Sequence, residues 1–345
     1  MEKLKIDFYD SGVGDTIVIT FPGGGIGLVD AHPATNSSRP GIRDIVSGKR
    51  LHFVCLTHPH ADHGKDLVPV LQTHPEIAEF WHTTSDIRAF IYRVQEYVNY
   101  PSPVRDFAEA MNRDWANFLV DIFGAVVDRD IPPLLLRSDL EHILIDGVEI
   151  HCLSPEHSVQ NQFRTHLLKK AGDLEKRGPN TNLLSAVLAL KFGSGVVLLG
   201  ADALRENWNS AIGRYHKRGL PKALVLKVPH HGARNSMNWS GKSYLDICSR
   251  DPKARAVLFA GDAKHPDRDI YKLLRERSEL FCLSNGLTGG TGESNPLRLS
   301  LPDARAVRAA KVCNPVVSFV LDRAGQVQTI NGIACEFFPI QPQSV

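Results

Sequence analysis

The chain has 345 residues, of which 43% are hydrophobic and 23% are charged, and its formal net charge is +2. This composition indicates a globular protein with a sizeable core, and the balanced charge gives no general sign of a nucleic-acid-binding surface. Six cysteines occur without a CxxC pair, which favours buried thiols in a reducing compartment over a disulfide framework. The sequence contains neither a signal peptide nor a membrane-spanning run, so we expect a cytosolic protein.

The first thirty residues predict three strands. Residues 6–9 and 16–21 have strand-like sequences and are joined by Asp10-Ser11-Gly12-Val13-Gly14-Asp15, whose glycines permit a tight reversal. Gly23-Gly24-Gly25 then leads to a third strand at 26–30. Because neither Lys-Ser/Thr nor a helix follows the triplet, a hairpin turn is favoured over a phosphate-binding loop.

The next stretch concentrates side chains that can bind metal or act in catalysis. Its sequence is Thr57-His58-Pro59-His60-Ala61-Asp62-His63-Gly64. It places three imidazoles and one carboxylate within six positions. The apolar run before it, 51–56, predicts a buried strand, and the amphipathic segment after it, 65–72, predicts a short helix. The histidines therefore lie on a loop at the carboxyl end of a strand, where functional groups often collect.

Neutral imidazoles and carboxylates are typical zinc ligands, and alternate residues of an extended loop can face a common side. His58 and His60 could therefore bind one ion, while Asp62 and His63 face a second. A histidine-rich surface loop is the alternative. The HxHxDH spacing resembles the signature of the metallo-β-lactamase fold superfamily.

The resemblance becomes more specific with the DxGxGD motif at 10–15 and the strand that ends in Asp30. These features are similar to the opening of the metallo-β-lactamase domain of bacterial DNA-uptake channel proteins and their free-standing relatives. In that pattern the aspartates brace the loops beneath the metals. The resemblance thus implies that Asp15 and Asp30 orient the ligating histidines.

A change of pattern follows the metal-ligand motif. Residues 79–82 predict a strand, and hydrophobic residues recur at helical spacing within 85–137. We interpret 85–137 as a helical insertion that could form a wall over the site. Its aromatic residues follow the period of a buried helix face, which favours a core role over a nucleobase platform.

A hairpin is predicted at 143–153, around Asp146-Gly147. It leads to His157, and in many members of the superfamily a histidine near this point supplies the third ligand of the first metal. His157 is therefore a candidate ligand, and a solvated loop histidine is the alternative. The polar segment 158–181 is predicted to be a solvated helix and loop.

A second hairpin, predicted at 183–199, leads to Asp202. An aspartate directly after an apolar strand is costly to bury unless a cation compensates its charge. In the superfamily the equivalent aspartate bridges both metals, so we expect Asp202 to be the bridging ligand. The chain departs from the family pattern at Ala201, where a glycine is usual. Asn182 and Ser185 match the family's Asn-x-x-Ser pattern near the site.

The last candidate residues follow a helix predicted at 204–216. A strand at 223–228 leads to His230 and His231, of which one would be the last ligand of the second metal; we favour His230. After a further strand at 256–260, His265 matches only the His-Pro part of the family's Gly-His-Pro motif. A histidine there can donate a proton or hold a phosphate oxygen, and a structural or capping histidine is the alternative.

Together these features predict an α/β protein whose single domain, 1–345, is a four-layered αββα sandwich, the metallo-β-lactamase fold. It would carry the helical insertion and a C-terminal extension from about 285. Short strands are predicted at 280–283, before this extension, and at 316–321 and 327–330 within it.

The predicted cofactors are two divalent metal ions, zinc or manganese, because histidine and aspartate sites accept both. Such a pair activates a bridging water for hydrolysis, with Asp62 orienting the bridging hydroxide and His265 assisting the leaving group. The resemblance implies a phosphodiesterase or nuclease acting on nucleic acid or a nucleotide. A lactone, ester or thioester hydrolase and a non-catalytic binding module are the alternatives, since fold alone does not fix function.

Overall fold

The computed structural model describes residues 2–12, 14–33, 40–84, 87, 91, 113–168, 180–259, 265–283 and 316–332. Its strands are β1 (Lys3–Tyr9), β2 (Ile17–Thr20), β3 (Ile26–Val29), β4 (Leu51–Cys55), β5 (Phe80–His82), β6 (Pro133–Leu135), β7 (Ile143–Ile145), β8 (Val148–Ser154), β9 (Val187–Phe192), β10 (Gly195–Leu199), β11 (Val225–Lys227), β12 (Arg255–Phe259), β13 (Glu279–Leu283), β14 (Val316–Asp322) and β15 (Val327–Asn331). Its α-helices are α1 (Ile42–Val46), α2 (Ala61–Gly64), α3 (Leu67–Thr73), α4 (Arg113–Asp128), α5 (His157–Leu168), α6 (Arg205–Lys217) and α7 (Arg268–Arg277).

The strands form two sheets. The first has eight strands in the order β15-β14-β1-β2-β3-β4-β5-β6, and the second has seven in the order β13-β12-β11-β10-β9-β8-β7. Strands β3 to β6 run parallel in the first sheet, and β10 to β13 run parallel in the second. Their carboxyl ends carry the loops that contain most of the candidate ligands.

Alternating side chains divide the core into three layers. Between the sheets, Phe8 of β1 packs edge-to-face against Phe259 of β12, with ring centroids 6.3 Å apart. The outer face of the first sheet packs against α1, α3 and α4, and that of the second sheet packs against α6 and α7. Both sheets are thus covered on both faces, which explains their nearly continuous apolar strands. The predicted αββα sandwich is confirmed.

Most predicted elements are present within one to three residues of their expected bounds. The second predicted hairpin is shorter, because Thr181–Leu184 forms a 3₁₀ turn and β9 begins only at Val187. The Asn180 side chain accepts a hydrogen bond from the backbone N–H of Asn182 and caps this turn. An apolar run therefore did not distinguish a turn from a strand here.

The predicted insertion and extension are described in part. Within the predicted helical insertion at 85–137, helix α4 occupies 113–128, and residues 85–112 lie outside the described residues except for 87 and 91. The end of this predicted segment is not helical, because β6 at 133–135 pairs with β5 and belongs to the first sheet. In the predicted extension, β14 pairs with β1 over seven residues, so that this segment completes the first sheet. No helix among the described ranges combines the length and apolarity needed to cross a bilayer.

Candidate metal centre

Loops at the ends of strands from both sheets form the candidate site. The histidine-rich loop follows β4 in the first sheet, whereas Asp202 follows β10 and the histidine pair follows β11 in the second. The backbone N–H of Ala186 donates to the carbonyl of Thr57 over 2.9 Å, and that of His230 donates to the carbonyl of Ala201 over 2.9 Å. The first bond joins the histidine-rich loop to the residue before β9 of the second sheet, and the second bond joins the Asp202 loop to the histidine pair.

His58 and His60 face each other at one side of the site. His58 Nε2 lies 3.1 Å from His60 Nδ1, and their ring centroids are 4.6 Å apart. His58 is fully buried, and His60 Nε2 contacts the hydroxyl of Thr181. Two ring nitrogens that converge in this way are positioned to share one cation.

The second group comprises Asp62, His63, Asp202 and His231. One potential ligand atom from each of these residues lies within 4.8 Å of the others. His63 Nε2 is 3.5 Å from Asp202 Oδ1, and His231 Nε2 is 3.7 Å from Asp202 Oδ2. Asp202 therefore occupies the centre of the group.

His230 and His265 lie beside this group. His230 Nε2 is 3.8 Å from Asp202 Oδ2 and 3.2 Å from the side-chain nitrogen of Asn182. The geometry groups His231, rather than the initially favoured His230, with the other ligands. The ring of His265 is half-buried and lies 5.8 Å from that of His230, so it borders the site.

His157 has a different setting. It is exposed at the first position of α5, immediately after the loop that follows β8. Neither group of potential ligands found among the described residues includes it. These contacts therefore do not group His157 with the other candidate ligands.

Asp30, at the end of β3, orients His63. Its carboxylate accepts a hydrogen bond from His63 Nδ1 over 2.7 Å, and it also accepts from the backbone N–H and hydroxyl of Thr57, over 2.8 and 2.7 Å. With Nδ1 used in this way, His63 Nε2 is left to face Asp202. The predicted orienting role of Asp30 agrees with this geometry.

The backbone is strained where these residues lie. Positive φ angles occur at Asp30 (52°), Ala201 (42°), His230 (47°) and His231 (51°), four of the six non-glycine residues with this conformation in the described ranges. Such a conformation is unfavourable for residues with a Cβ and clusters at functional sites. It turns the histidine pair sharply after β11.

The DxGxGD loop packs beneath the histidine-rich loop. A Cβ atom built on Gly14 would lie 1.7 Å from the carbonyl oxygen of Asp62 and 2.7 Å from Cβ of His32. His32 Nδ1 in turn lies 2.8 Å from the Ser11 carbonyl. Only glycine permits this close approach of the two loops.

The protonation of three of the histidines suits metal binding. Burial lowers the pKa of His58 well below its ordinary value, and it also lowers the pKa values of His60 and His230. These imidazoles are therefore neutral at neutral pH, the form that ligates metals. Burial alone would raise the pKa of Asp202, but His231 and His63 outweigh it and hold this pKa well below the usual range.

Several buried atoms at the centre require a partner. Among the described residues, His63 Nε2, His231 Nε2 and Asp202 Oδ1 are buried and make no hydrogen bond. Buried polar atoms are rarely left unsatisfied, and a divalent cation would satisfy all three at once. The donor set of imidazoles and carboxylates fits zinc or manganese.

Lys227 is a residue of the site that the sequence analysis did not identify. It is completely buried at the end of β11, and its ammonium contacts the carboxylate of Asp15 and lies 3.6 Å from Asp202 Oδ1. A single charge within the apolar strand predicted at 223–228 is the signal that could have revealed it, because a buried charge needs a partner.

Comparisons with known proteins concern the fold alone. No protein-family profile matches the chain, and no curated protein matches it. Igni18, described as a novel metallo hydrolase from the hyperthermophilic archaeon Ignicoccus hospitalis KIN4/I, is 12% identical, with a TM-score of 0.41 over 81% of this chain and 95% of that chain. A diphosphatase from the PhnP family is 11% identical, with a TM-score of 0.34 over 73% of this chain and 85% of that chain. Zn²⁺-bound PqqB from Methylobacterium extorquens is 15% identical, with a TM-score of 0.37 over 81% of this chain and 89% of that chain.

Proposed function

We propose that this protein is a dinuclear metal-dependent hydrolase that cleaves phosphodiester bonds. The observation that carries the proposal is the convergence of Asp62, His63, Asp202 and His231 around buried atoms that make no hydrogen bond within the described residues. A chance cluster of these residue types at the ends of strands from two sheets would leave unsatisfied charge without a compensating gain.

The ligands divide between two cations. His58 and His60 would bind the first, and Asp62, His63 and His231 the second, with Asp202 between them. His230 and His157 remain candidate ligands, of which His230 is the nearer to Asp202. A bound pair of divalent ions supplies Lewis acidity, which activates water near neutral pH and neutralises charge on the oxygens of the scissile bond.

The protein's own residues would position the reactants. Asp62 is about one-third exposed, so its carboxylate can both ligate and hold a nucleophilic water in orientation. His265 borders the histidine pair and would transfer a proton to the leaving oxygen. His231 is held by its Nδ1, 3.3 Å from the Phe259 carbonyl, which directs Nε2 toward Asp202.

The proposed substrate is nucleic acid or a nucleotide. Support comes from the resemblance of DxGxGD, HxHxDH, Asn-x-x-Ser and the histidine pair to the hydrolase domain of DNA-uptake proteins. The geometry also brings the side chains of the Asn-x-x-Ser and histidine-pair motifs together, since Asn182 contacts His230. A carboxyl-ester, lactone or thioester hydrolase uses the same metals, so substrate panels must include both classes.

The decisive experiment combines metal analysis with hydrolysis of bis-p-nitrophenyl phosphate. Protein purified without chelator should contain about two equivalents of zinc or manganese, as a two-metal site requires. Asp202→Ala and the closer mimic Asp202→Asn should lose metal and activity. Asp139→Ala is the matched control, because Asp139 is exposed and forms a surface ion pair with Arg137.

Each result has a distinct meaning. Metal-dependent phosphodiesterase activity that is lost only in the Asp202 variants would support the proposal and direct attention to DNA, RNA and cyclic nucleotides. Metal uptake with hydrolysis of thioesters or lactones alone would replace the phosphodiesterase with the alternative enzyme. Absence of metal and of turnover after zinc or manganese addition would leave a non-catalytic binding module.

A further inference from the structure

Lys227 is buried in an unusual place for a cation. It is the only lysine among the described residues with no exposed surface, and it ends β11 directly before the turn that carries His230 and His231. Its ammonium lies 5.7 Å from the centre of the Phe259 ring, against the apolar layer between the sheets. Burial of such a charge is unfavourable unless nearby groups compensate it.

The compensation comes from the metal centre itself. The ammonium donates to the Ala201 carbonyl over 2.8 Å, contacts the Asp15 carboxylate, and lies 3.6 Å from Asp202 Oδ1. Asp15 and Asp202 are both almost completely buried. One fixed positive charge is therefore inserted between two carboxylates, one of which is the proposed bridging ligand.

Lys227 lies beside one of the two oxygens of the Asp202 carboxylate. Its ammonium and His63 Nε2 approach Oδ1, at 3.6 and 3.5 Å, whereas His231 and His230 approach Oδ2. The ammonium and His63 thus lie on one side of the carboxylate, and the two histidines of the turn after β11 lie on the other. The Ala201 carbonyl, which accepts a hydrogen bond from Lys227, also accepts one from the backbone N–H of His230 in the turn after β11.

We infer that Lys227 is a permanent internal counter-ion of the metal centre. It positions Asp15 and Asp202 when the centre holds no metal, and its fixed charge weakens the binding of the cation that Asp202 ligates. This inference rests on the proposed metal-binding function and deepens it. It assigns Lys227 a positioning role, through Asp202, and no contact with the substrate.

The two parts of the inference have opposite consequences for a variant without the charge. The metal-free protein should become less stable, because two buried carboxylates lose their cation. Metal binding should become tighter, because like charges repel and a neutral side chain removes that repulsion. A side chain with a merely structural role would weaken metal binding when replaced, so the direction of the change is diagnostic.

The test uses the full chain, freed of metal with chelator and titrated with zinc and with manganese against a chromogenic competitor. Lys227→Gln removes the charge and keeps a hydrogen-bond donor for the Ala201 carbonyl, while Lys227→Arg keeps the charge. We expect Lys227→Gln to lower the melting temperature of the metal-free protein and to tighten zinc binding by about tenfold or more. Lys227→Arg should keep the wild-type affinity.

Lys191→Gln is the matched control. Lys191 also lies in the second sheet and pairs with Glu149 over 2.7 Å, but both side chains are about one-third exposed. Its replacement should leave zinc affinity unchanged, since a solvated ion pair contributes little.

The outcomes separate this inference from the proposed function. Unchanged or weaker zinc binding by folded Lys227→Gln, with normal binding by the wild type, would overturn the counter-ion role alone. Failure of the wild type to bind either metal would overturn both proposals. If Lys227→Gln does not fold, wild-type zinc affinity in Lys227→Arg supports the role of the charge, and loss of zinc binding in that folded variant overturns it.

Discussion

Ala201, in the loop of the candidate site that follows β10, has a left-handed backbone conformation. Its φ angle is 42°, and its carbonyl accepts bonds from Lys227 and from the His230 backbone. The left-handed conformation is unfavourable for alanine and neutral for glycine. The chain therefore places an alanine where a glycine would be unstrained.

Ala201→Gly is therefore expected to stabilise the metal-free protein by roughly 1 kcal/mol, since the strain of the left-handed alanine is removed. The free energy of unfolding, from urea denaturation, measures the effect. Ala211→Gly is the control of opposite sign, because Ala211 is buried in helix α6 and a helical glycine costs about 1 kcal/mol. Destabilisation by Ala201→Gly would contradict the strain argument.

His82 gives a prediction for the pH dependence of stability. Burial lowers the pKa of His82 to about 4, and its ring stacks on Phe80 with Nδ1 3.1 Å from the Thr84 hydroxyl. The unfolded chain binds a proton near pH 6.5, so it takes up more protons than the folded protein between pH 6.5 and 4. The stabilisation that neutral, buried His82 gives the folded protein is fully present above pH 6.5 and is lost as the pH falls through 4.

As the pH is lowered, the unfolding free energy of His82→Phe should therefore fall less steeply than that of the wild type. The difference in unfolding free energy between wild type and variant should change by about 3 kcal/mol between pH 7.5 and 4. Urea denaturation at a series of pH values measures it, with the exposed His216→Gln as control. A wild-type slope in His82→Phe would show that His82 does not contribute to acid sensitivity.

At the scale of elements, the site depends on the contact between the loop after β1 and the loop after β4. Gly14 permits this contact, because a Cβ atom would overlap the Asp62 carbonyl. Gly14→Ala should displace the histidine-rich loop and weaken zinc binding by about 10- to 100-fold, as loss of an outer support typically does. Metal titration against a competitor provides the measurement.

The matched control is Gly213→Ala in helix α6. No atom lies within 4 Å of the Cβ built there, so this substitution adds the same methyl group without a clash. It should preserve zinc affinity and slightly increase stability, because alanine is the better helix former. Zinc affinity equal to that of the wild type in Gly14→Ala would show that the two loops are not coupled.

The elements also show what the sequence could predict. Strand ends followed by histidine and aspartate indicated the loops of the site, because hydrophobic patterns define buried strands well. Which residue of the pair His230 and His231 groups with Asp202 was not predictable, since it depends on two consecutive positive φ angles in the turn after β11. Likewise, no spacing rule connects Lys227 with Asp15, which are distant in sequence and meet only when the two sheets pack.

At the scale of the whole molecule, the centre connects the two sheets. His58, His60, Asp62 and His63 follow a strand of the first sheet, and Asp202 and His231 follow strands of the second. The sheets also share one apolar layer, in which Phe8 and Phe319 of the first sheet pack near Phe259 and Phe281 of the second. A cation bound by both sets of ligands would therefore stabilise the association of the sheets.

Metal removal should consequently shift the unfolding of the entire protein. A ligand present at about a thousandfold excess over its Kd contributes about 4 kcal/mol to stability. Because the inner apolar layer belongs to both sheets, we expect one cooperative transition with and without metal, at a lower temperature after chelation. Calorimetry and near-ultraviolet circular dichroism should report the same midpoint.

Asp202→Asn distinguishes bridging by metal from a general effect of the chelator. This variant keeps the shape of the carboxylate but loses the charge that would join the two ligand sets, so its transition should not respond to zinc or to chelator. Asp139→Asn, on an exposed ion pair, should respond as the wild type does. Two separate transitions in the chelated wild type would show that metal, rather than the shared apolar layer, couples the sheets.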